Sequence, residues 1–77
     1  MICYHGTSRE NAEKIMSDGF KPDCWFARHI EDAYKFGGNY IIEIDFEPKK
    51  IPRGWQFHVL DAIPNTDIRG IMRIEKP

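Results

Sequence analysis

The chain has 77 residues, a formal net charge of −1 and an aromatic content of 13%. This length predicts one domain with a modest core. The near-zero charge favours neither nucleic acid nor a membrane surface as a partner. No signal peptide or membrane-spanning run is present in the sequence. Two cysteines, Cys3 and Cys24, are too few for a disulfide framework, so we predict a cytoplasmic, reducing environment in a bacterial or host cell.

The first elements are a short strand and a helix. Met1–Tyr4 is an apolar run that leads into His5-Gly6-Thr7. Thr7 and Glu10 have the spacing of a capping box, in which Thr7 is the N-cap. Apolar residues then recur at helical spacing, which predicts a helix over 8–18 that is ended by Gly19.

The middle of the chain predicts a strand, a helix and a longer strand. Cys24–Ala27 is short, apolar and aromatic, as a buried strand is. Glu31–Phe36 has a helical pattern that ends at Gly37-Gly38. Asn39–Glu47 alternates apolar and acidic residues, which predicts a strand with one core face and one acidic, solvated face.

The last third predicts two more strands. Pro48 and Pro52 bound a loop that runs to Gly54. Trp55–Leu60 and Ile68–Glu75 read as strands, separated by a turn over Ile63–Asp67. Helices come early and strands late, which predicts a single α+β domain over 1–77, with two short helices packed on a mainly antiparallel sheet of about five strands.

Few residues have the spacing of a recognised reactive site. The three histidines, His5, His29 and His58, are not spaced as metal ligands, so no metal is expected. No phosphate-binding glycine loop is present. A Cys24–His5 nucleophile pair remains open as an alternative to a buried thiol.

Several short motifs follow one another in a characteristic order. They are His5-Gly6-Thr7, Gly19-Phe20, Trp25-Phe26-Ala27, Ala33-Tyr34 and the tail Ile63-Pro64-Asn65-Thr66-Asp67-Ile68-Arg69-Gly70. In this order the sequence resembles the ADP-ribosyltransferase superfamily, the NAD-dependent fold shared by poly(ADP-ribose) polymerases, diphtheria-type toxins and RNA 2′-phosphotransferases. The resemblance implies a small member of that fold, in which the sheet can be split.

The resemblance also implies a site for NAD, used as a substrate. His5 would hydrogen-bond a ribose hydroxyl, and the Gly6 backbone would pair with the nicotinamide amide. Tyr34 would stack on the nicotinamide ring, and Thr7 would border the same site. Trp25 stands where the family usually has its first tyrosine, and it can stack but has no hydroxyl.

The catalytic glutamate of the family, at the start of a late strand, has no direct match. Asp67 is the nearest carboxylate, so His5, Tyr34 and Asp67 are the candidate catalytic residues. The other carboxylates considered are Glu75, at the far end of the same strand, and the acidic stripe of Glu43 and Asp45. The Ser-x-Ser that often precedes the helical tyrosine is replaced by Ile30-Glu31-Asp32.

Three functions follow as hypotheses. The first is an NAD-binding ADP-ribosyltransferase-like domain that transfers ADP-ribose to a protein acceptor or hydrolyses it. The second is a non-catalytic relative, acting as a protein-binding module or a small phage-type inhibitor. The third is a member of the RNA 2′-phosphotransferase branch, which would gather basic residues such as Arg28 and Arg69 near His5.

Overall fold

The computed structural model describes residues 1–45 and 55–74 and the backbone of 50–53. It contains six strands: β1 (Ile2–Thr7), β2 (Cys24–Ala27), β3 (Tyr40–Asp45), β4 (Lys50–Arg53), β5 (Gln56–Val59) and β6 (Ile68–Arg73). Its two α-helices are α1 (Arg9–Asp18) and α2 (Ile30–Ala33), and 3₁₀-helices span Tyr34–Phe36 and Asn65–Asp67.

The six strands form one antiparallel sheet in the order β4-β5-β2-β1-β3-β6. The predicted α+β class, with two short helices on an antiparallel sheet, is confirmed. The prediction of a loop before Gly54 is wrong for Lys50–Arg53, which pairs with β5. Pro52 is tolerated there because β4 is an edge strand, which needs ladder hydrogen bonds on one side only.

The sheet is covered on both faces. Helix α1 covers one face, where Ala12 packs with Cys3, Phe26 and Ile42. Helix α2 covers the other face, where Ala33 packs with Ala27 and Ile41.

The prediction of one solvated face along β3 is therefore wrong in part. Ile41 is only 1% exposed, although it lies on the face that the alternation assigns to solvent. The acidic residues Glu43 and Asp45 lie on that face beyond the cover of α2, half-buried and exposed respectively. The periodicity of one strand does not show whether a helix from another part of the chain will pack on that face.

The helix α1 is capped by Ser8, so the prediction that Thr7 is the N-cap is wrong. Ser8 has extended backbone angles, and its hydroxyl accepts a hydrogen bond of 3.2 Å from the Asn11 amide. Thr7 instead ends β1, pairs with Tyr40 and is 8% exposed. Serine and threonine are both good N-caps. Because Thr7 is still paired with β3 as part of β1, the helix is capped by the next residue, Ser8.

The segment after β2 folds closely onto β1. The predicted helix over 31–36 begins one residue earlier, as α2, and tightens into a 3₁₀-helix at Tyr34–Phe36. A Cβ added at Gly6 would lie 2.3 Å from the Ala33 carbonyl oxygen, so only glycine lets this segment approach β1 so closely.

Two predicted strand ends, 46–47 and Glu75, lie outside the described residues. Among the described residues, no helix has the length and apolar character needed to cross a membrane.

Candidate functional site

The strands β1 and β2 meet at one residue pair and then separate. Tyr4 and Ala27 form that pair, whereas β1 and β3 pair along all six residues of β1. Residues 5–7 of β1 and 24–26 of β2 therefore lie side by side without ladder pairs, and this unpaired stretch, in which Gly6 is buried, is here called the β1–β2 opening. Several of the predicted site residues lie on these two segments.

The direction of the backbone groups follows from one hydrogen bond at the sheet edge. The Ile74 amide donates to the Asn39 carbonyl at 2.7 Å, so the odd-numbered residues of β3 bond toward β6. Backbone groups alternate along an antiparallel strand, so the even-numbered residues of β3 bond toward β1. With the observed register, Cys3, His5 and Thr7 bond toward β3.

Gly6 therefore turns its backbone N–H and C=O toward β2, as Tyr4 does. Tyr4 finds its partner in Ala27, but the described strands give Gly6 no ladder partner on β2. The same alternation turns the Trp25 backbone toward β1, which agrees with the hydrogen bond that its carbonyl accepts from His5. The β1–β2 opening is thus bordered by the Gly6 backbone, which has no ladder pair on β2, and by the Trp25 carbonyl, which His5 binds.

His5 lies in this opening, half-buried among aromatic rings. Its Nδ1 is 2.6 Å from the carbonyl oxygen of Trp25. Its ring centroid lies 5.2 Å from that of Phe20, 5.5 Å from Phe26 and 5.8 Å from Phe36. The imidazole takes the place of a ladder hydrogen bond between the separating strands.

These contacts fix the chemical state of His5. Burial lowers the pKa of His5 below its ordinary value, although the hydrogen bond to Trp25 opposes that shift. A carbonyl can only accept, so Nδ1 carries the proton and Nε2 presents a lone pair. Among the described residues, no side chain or backbone group is recorded as a hydrogen-bond partner of Nε2, and no buried side-chain nitrogen or oxygen lacks a partner, so Nε2 keeps some contact with solvent.

The segment that packs on β1 carries aromatic residues, of which Phe36 contacts His5. Tyr34 begins the 3₁₀-helix whose approach Gly6 permits, and it is 45% exposed. The Phe36 ring lies 5.1 Å from that of Trp55, and Lys35 Nζ lies 5.0 Å above the Trp55 ring. Trp55, which directly precedes β5, is thereby packed against the segment that carries Tyr34.

Trp25 is half-buried and stacks on the ring of His58. The two centroids are 4.7 Å apart and the rings are nearly parallel, at 8°. His58 Nε2 lies 3.1 Å from the Asp23 carboxylate. Trp25 thus contacts His5 through its carbonyl and His58 through its indole.

Asp67 does not lie beside the other candidate residues. It ends the 3₁₀-helix before β6, which pairs with β3 and not with β1. His5 aligns with Ile42, while the start of β6 aligns with Ile44. With typical strand spacing and rise, the Asp67 backbone is about 10 Å across and about 10 Å along the sheet from His5.

Two of the other carboxylates considered, Glu43 and Asp45, are held in ion pairs at that same end of the sheet, whereas Glu75 lies outside the described residues. Asp45 binds the N-terminal amine at 3.2 Å and Arg69 at 3.3 Å, and the amine holds the pKa of Asp45 below its usual range. Glu43 lies 3.9 Å from Arg69. Arg69 is therefore two strands from His5, and the exposed Arg28 follows β2, so the two arginines are not gathered at one point.

Cys24 is not arranged as a nucleophile paired with His5. Its thiol donates to the Lys21 carbonyl at 3.2 Å. Burial and the neighbouring Asp23 raise the pKa of this thiol, which disfavours the thiolate. A groove of about 270 Å³ lies beside Cys24, between α1 and the start of β2, and it contains none of the predicted site residues.

Sequence reasoning missed three aromatic residues that shape the opening: Phe36, Trp55 and His58. Each acts through a partner distant in sequence, so no local motif marks it. The alternation in 55–60 predicts that Trp55 and His58 lie on opposite faces of a strand, but it does not show which aromatic rings they contact. Within the described part of the chain, no cluster of three His, Cys, Asp or Glu residues is placed to hold a metal ion.

Neither the models of known protein families nor the curated proteins contain a match to this chain.

Proposed function

We propose that the protein binds NAD in the β1–β2 opening and acts there as an ADP-ribosyltransferase-like domain, transferring or hydrolysing ADP-ribose. One observation carries the proposal: the Gly6 backbone amide and the His5 imidazole face the same opening. The ordered sequence motifs supply the ligand class, and the geometry is compatible with it.

The Gly6 backbone suits the nicotinamide group. A carboxamide has an N–H₂ donor and a carbonyl acceptor, so it pairs best with one acceptor and one donor side by side. Gly6 offers its own C=O and N–H in the same direction, toward β2. The opening thus supplies, on one residue, the complement of a primary amide.

The His5 imidazole suits a ribose hydroxyl. Its Nε2 is an acceptor because Nδ1 donates to the Trp25 carbonyl. A hydroxyl group can donate to that lone pair, and the lowered pKa keeps the ring neutral. The exposed ring of Tyr34 is available to stack on the nicotinamide.

Catalysis places a further demand on the site. Cleavage of the nicotinamide–ribose bond passes through an oxocarbenium-like state, which a nearby carboxylate stabilises. Neither β1 nor β2 contains a carboxylate, and Asp67 lies across β3. This arrangement favours a second candidate function, the non-catalytic relative that acts as a protein-binding module or small inhibitor.

Binding and turnover can be tested separately on the purified chain. A millimolar NAD titration should raise the melting temperature, and NAD at a hundred times its Kd adds about 2.7 kcal/mol. His5→Phe should abolish the shift, whereas the exposed control His29→Ala should retain it. Chromatography of released nicotinamide then distinguishes an enzyme from a binding module. Absence of a shift in the wild-type protein would contradict the proposed function.

A further inference from the structure

Trp25 connects two parts of the structure that sequence reasoning left separate. Its carbonyl oxygen accepts the hydrogen bond from His5 Nδ1 at 2.6 Å. Its indole stacks on His58, which is the residue directly opposite it on β5. Any displacement of the Trp25 backbone would therefore act on both histidines.

The stack adds a side-chain contact between β2 and β5 at this point. Because the Trp25 backbone bonds toward β1, Trp25 and His58 form a non-hydrogen-bonded pair, in which side chains come closer together. Cross-strand side-chain contacts contribute to the pairing at that position, beside the ladder bonds of the neighbouring pairs. The centroid separation of 4.7 Å and the angle of 8° are those of a stacked pair.

His58 is in turn held by Asp23. The Asp23 carboxylate lies 3.1 Å from Nε2 of His58, on the side chain of a residue only two positions before Trp25. Asp23 has a φ of 68°, which is uncommon for a residue other than glycine. The turn that enters β2 is thus shaped so that its carboxylate reaches β5.

We propose that His58 and Asp23 are positioning residues for His5. They hold the Trp25 ring in place, so that the Trp25 carbonyl stays on Nδ1 and Nε2 of His5 remains the acceptor. The proton position on one nitrogen of an imidazole is set by the partner of the other nitrogen. The effect on NAD rests on the proposed function, but the effect on His5 does not.

The test is ¹⁵N NMR of the histidine rings in the full chain without ligand. In the wild-type protein, His5 should show the tautomer protonated at Nδ1. His58→Ala should give a mixture of both tautomers, and His58→Phe, which keeps a planar ring on Trp25, should restore the single tautomer. His29→Ala, at an exposed position, is the control and should leave His5 unchanged.

Asp23→Asn provides a second variant should His58→Ala fail to fold. It should shift His5 toward the mixture to a smaller extent, because the stack remains while its anchor is weakened. If His5 keeps the single Nδ1–H tautomer in folded His58→Ala, or in folded Asp23→Asn where His58→Ala does not fold, the positioning role is wrong.

The NAD titration of the same variants separates the two proposals. His58→Ala should weaken NAD binding about tenfold, and His58→Phe should restore it. If the tautomer responds as expected but the wild-type protein does not bind NAD, the positioning role stands and the proposed function fails. If NAD binds but the His5 tautomer is the same in all folded variants, the proposed function stands and the positioning role fails.

Discussion

His5 donates a hydrogen bond of 2.6 Å from Nδ1 to the backbone carbonyl of Trp25, across the point where β1 and β2 separate. This one contact joins the strands in place of a ladder bond, and it leaves Nε2 as the acceptor of the ring. The His5 side chain thus connects two separating strands, and the same hydrogen bond determines which of its ring nitrogens can accept a hydrogen bond.

Replacement of Gly6 should show how closely the segment after β2 packs on β1. A Cβ at Gly6 would lie 2.3 Å from the Ala33 oxygen, so Gly6→Ala forces the backbones apart. We expect a loss of about 1–3 kcal/mol in the free energy of unfolding, measured in urea. Gly70→Ala is the matched control, because an added Cβ there meets nothing within 4 Å. Equal stability of the two variants would contradict the packing described.

The cap of α1 can be tested in the same way. Ser8→Ala removes the acceptor of the Asn11 amide and should cost about 1 kcal/mol in the free energy of unfolding. Ser17→Ala, at an exposed position near the end of the same helix, should change stability by less than about 0.5 kcal/mol. A Ser8→Ala variant as stable as Ser17→Ala would contradict Ser8 as the cap.

The pH dependence of stability should contain a contribution from His5. Burial lowers its pKa in the folded state below the ordinary value of 6.5. Below that value the unfolded chain binds a proton that the folded chain resists, so stability falls as the pH is lowered. Above it the contribution is constant.

His5→Phe keeps an aromatic ring among Phe20, Phe26 and Phe36 but cannot titrate. Urea unfolding of the wild-type protein and this variant between pH 5 and 8 should therefore give curves that differ in slope at the acid end. A difference in free energy that stays constant over this range would show that His5 is not buried as described.

The sequence alone predicts the local elements well. Cys24–Ala27 is observed as a strand over the same residues, and α1 begins one residue later than predicted. These segments have their signals within a few residues: a capping hydroxyl, a glycine stop, an apolar run. The position of His5 and Gly6 at the end of β1 follows from the same kind of signal.

The features that depend on distant pairings were not predictable. The strand Lys50–Arg53 owes its conformation to β5, and Ile41 is buried because α2 covers it. The ring partners of Trp25 and Phe36 come from β5 and from the turn before it. No periodicity within one segment encodes which other segment will lie against it.

Asp67→Asn tests whether the nearest carboxylate in sequence takes part in the site. Asp67 lies beyond β3 from the β1–β2 opening, so we expect the NAD dissociation constant and any release of nicotinamide to stay within about twofold of the wild-type values. A large loss of turnover with unchanged binding would instead give Asp67 a catalytic role and would require the strands to rearrange.

NAD binding in the β1–β2 opening is tested most directly by titrating ¹⁵N-labelled protein with NAD and following the backbone amides by NMR. The largest shifts should fall on the amides of Gly6, Trp25 and Tyr34, and they should be lost in His5→Phe. Shifts confined to α1 or to β6 would contradict NAD binding in the β1–β2 opening. The absence of any shift at about 10 mM NAD, roughly ten times a millimolar Kd, would contradict it as well.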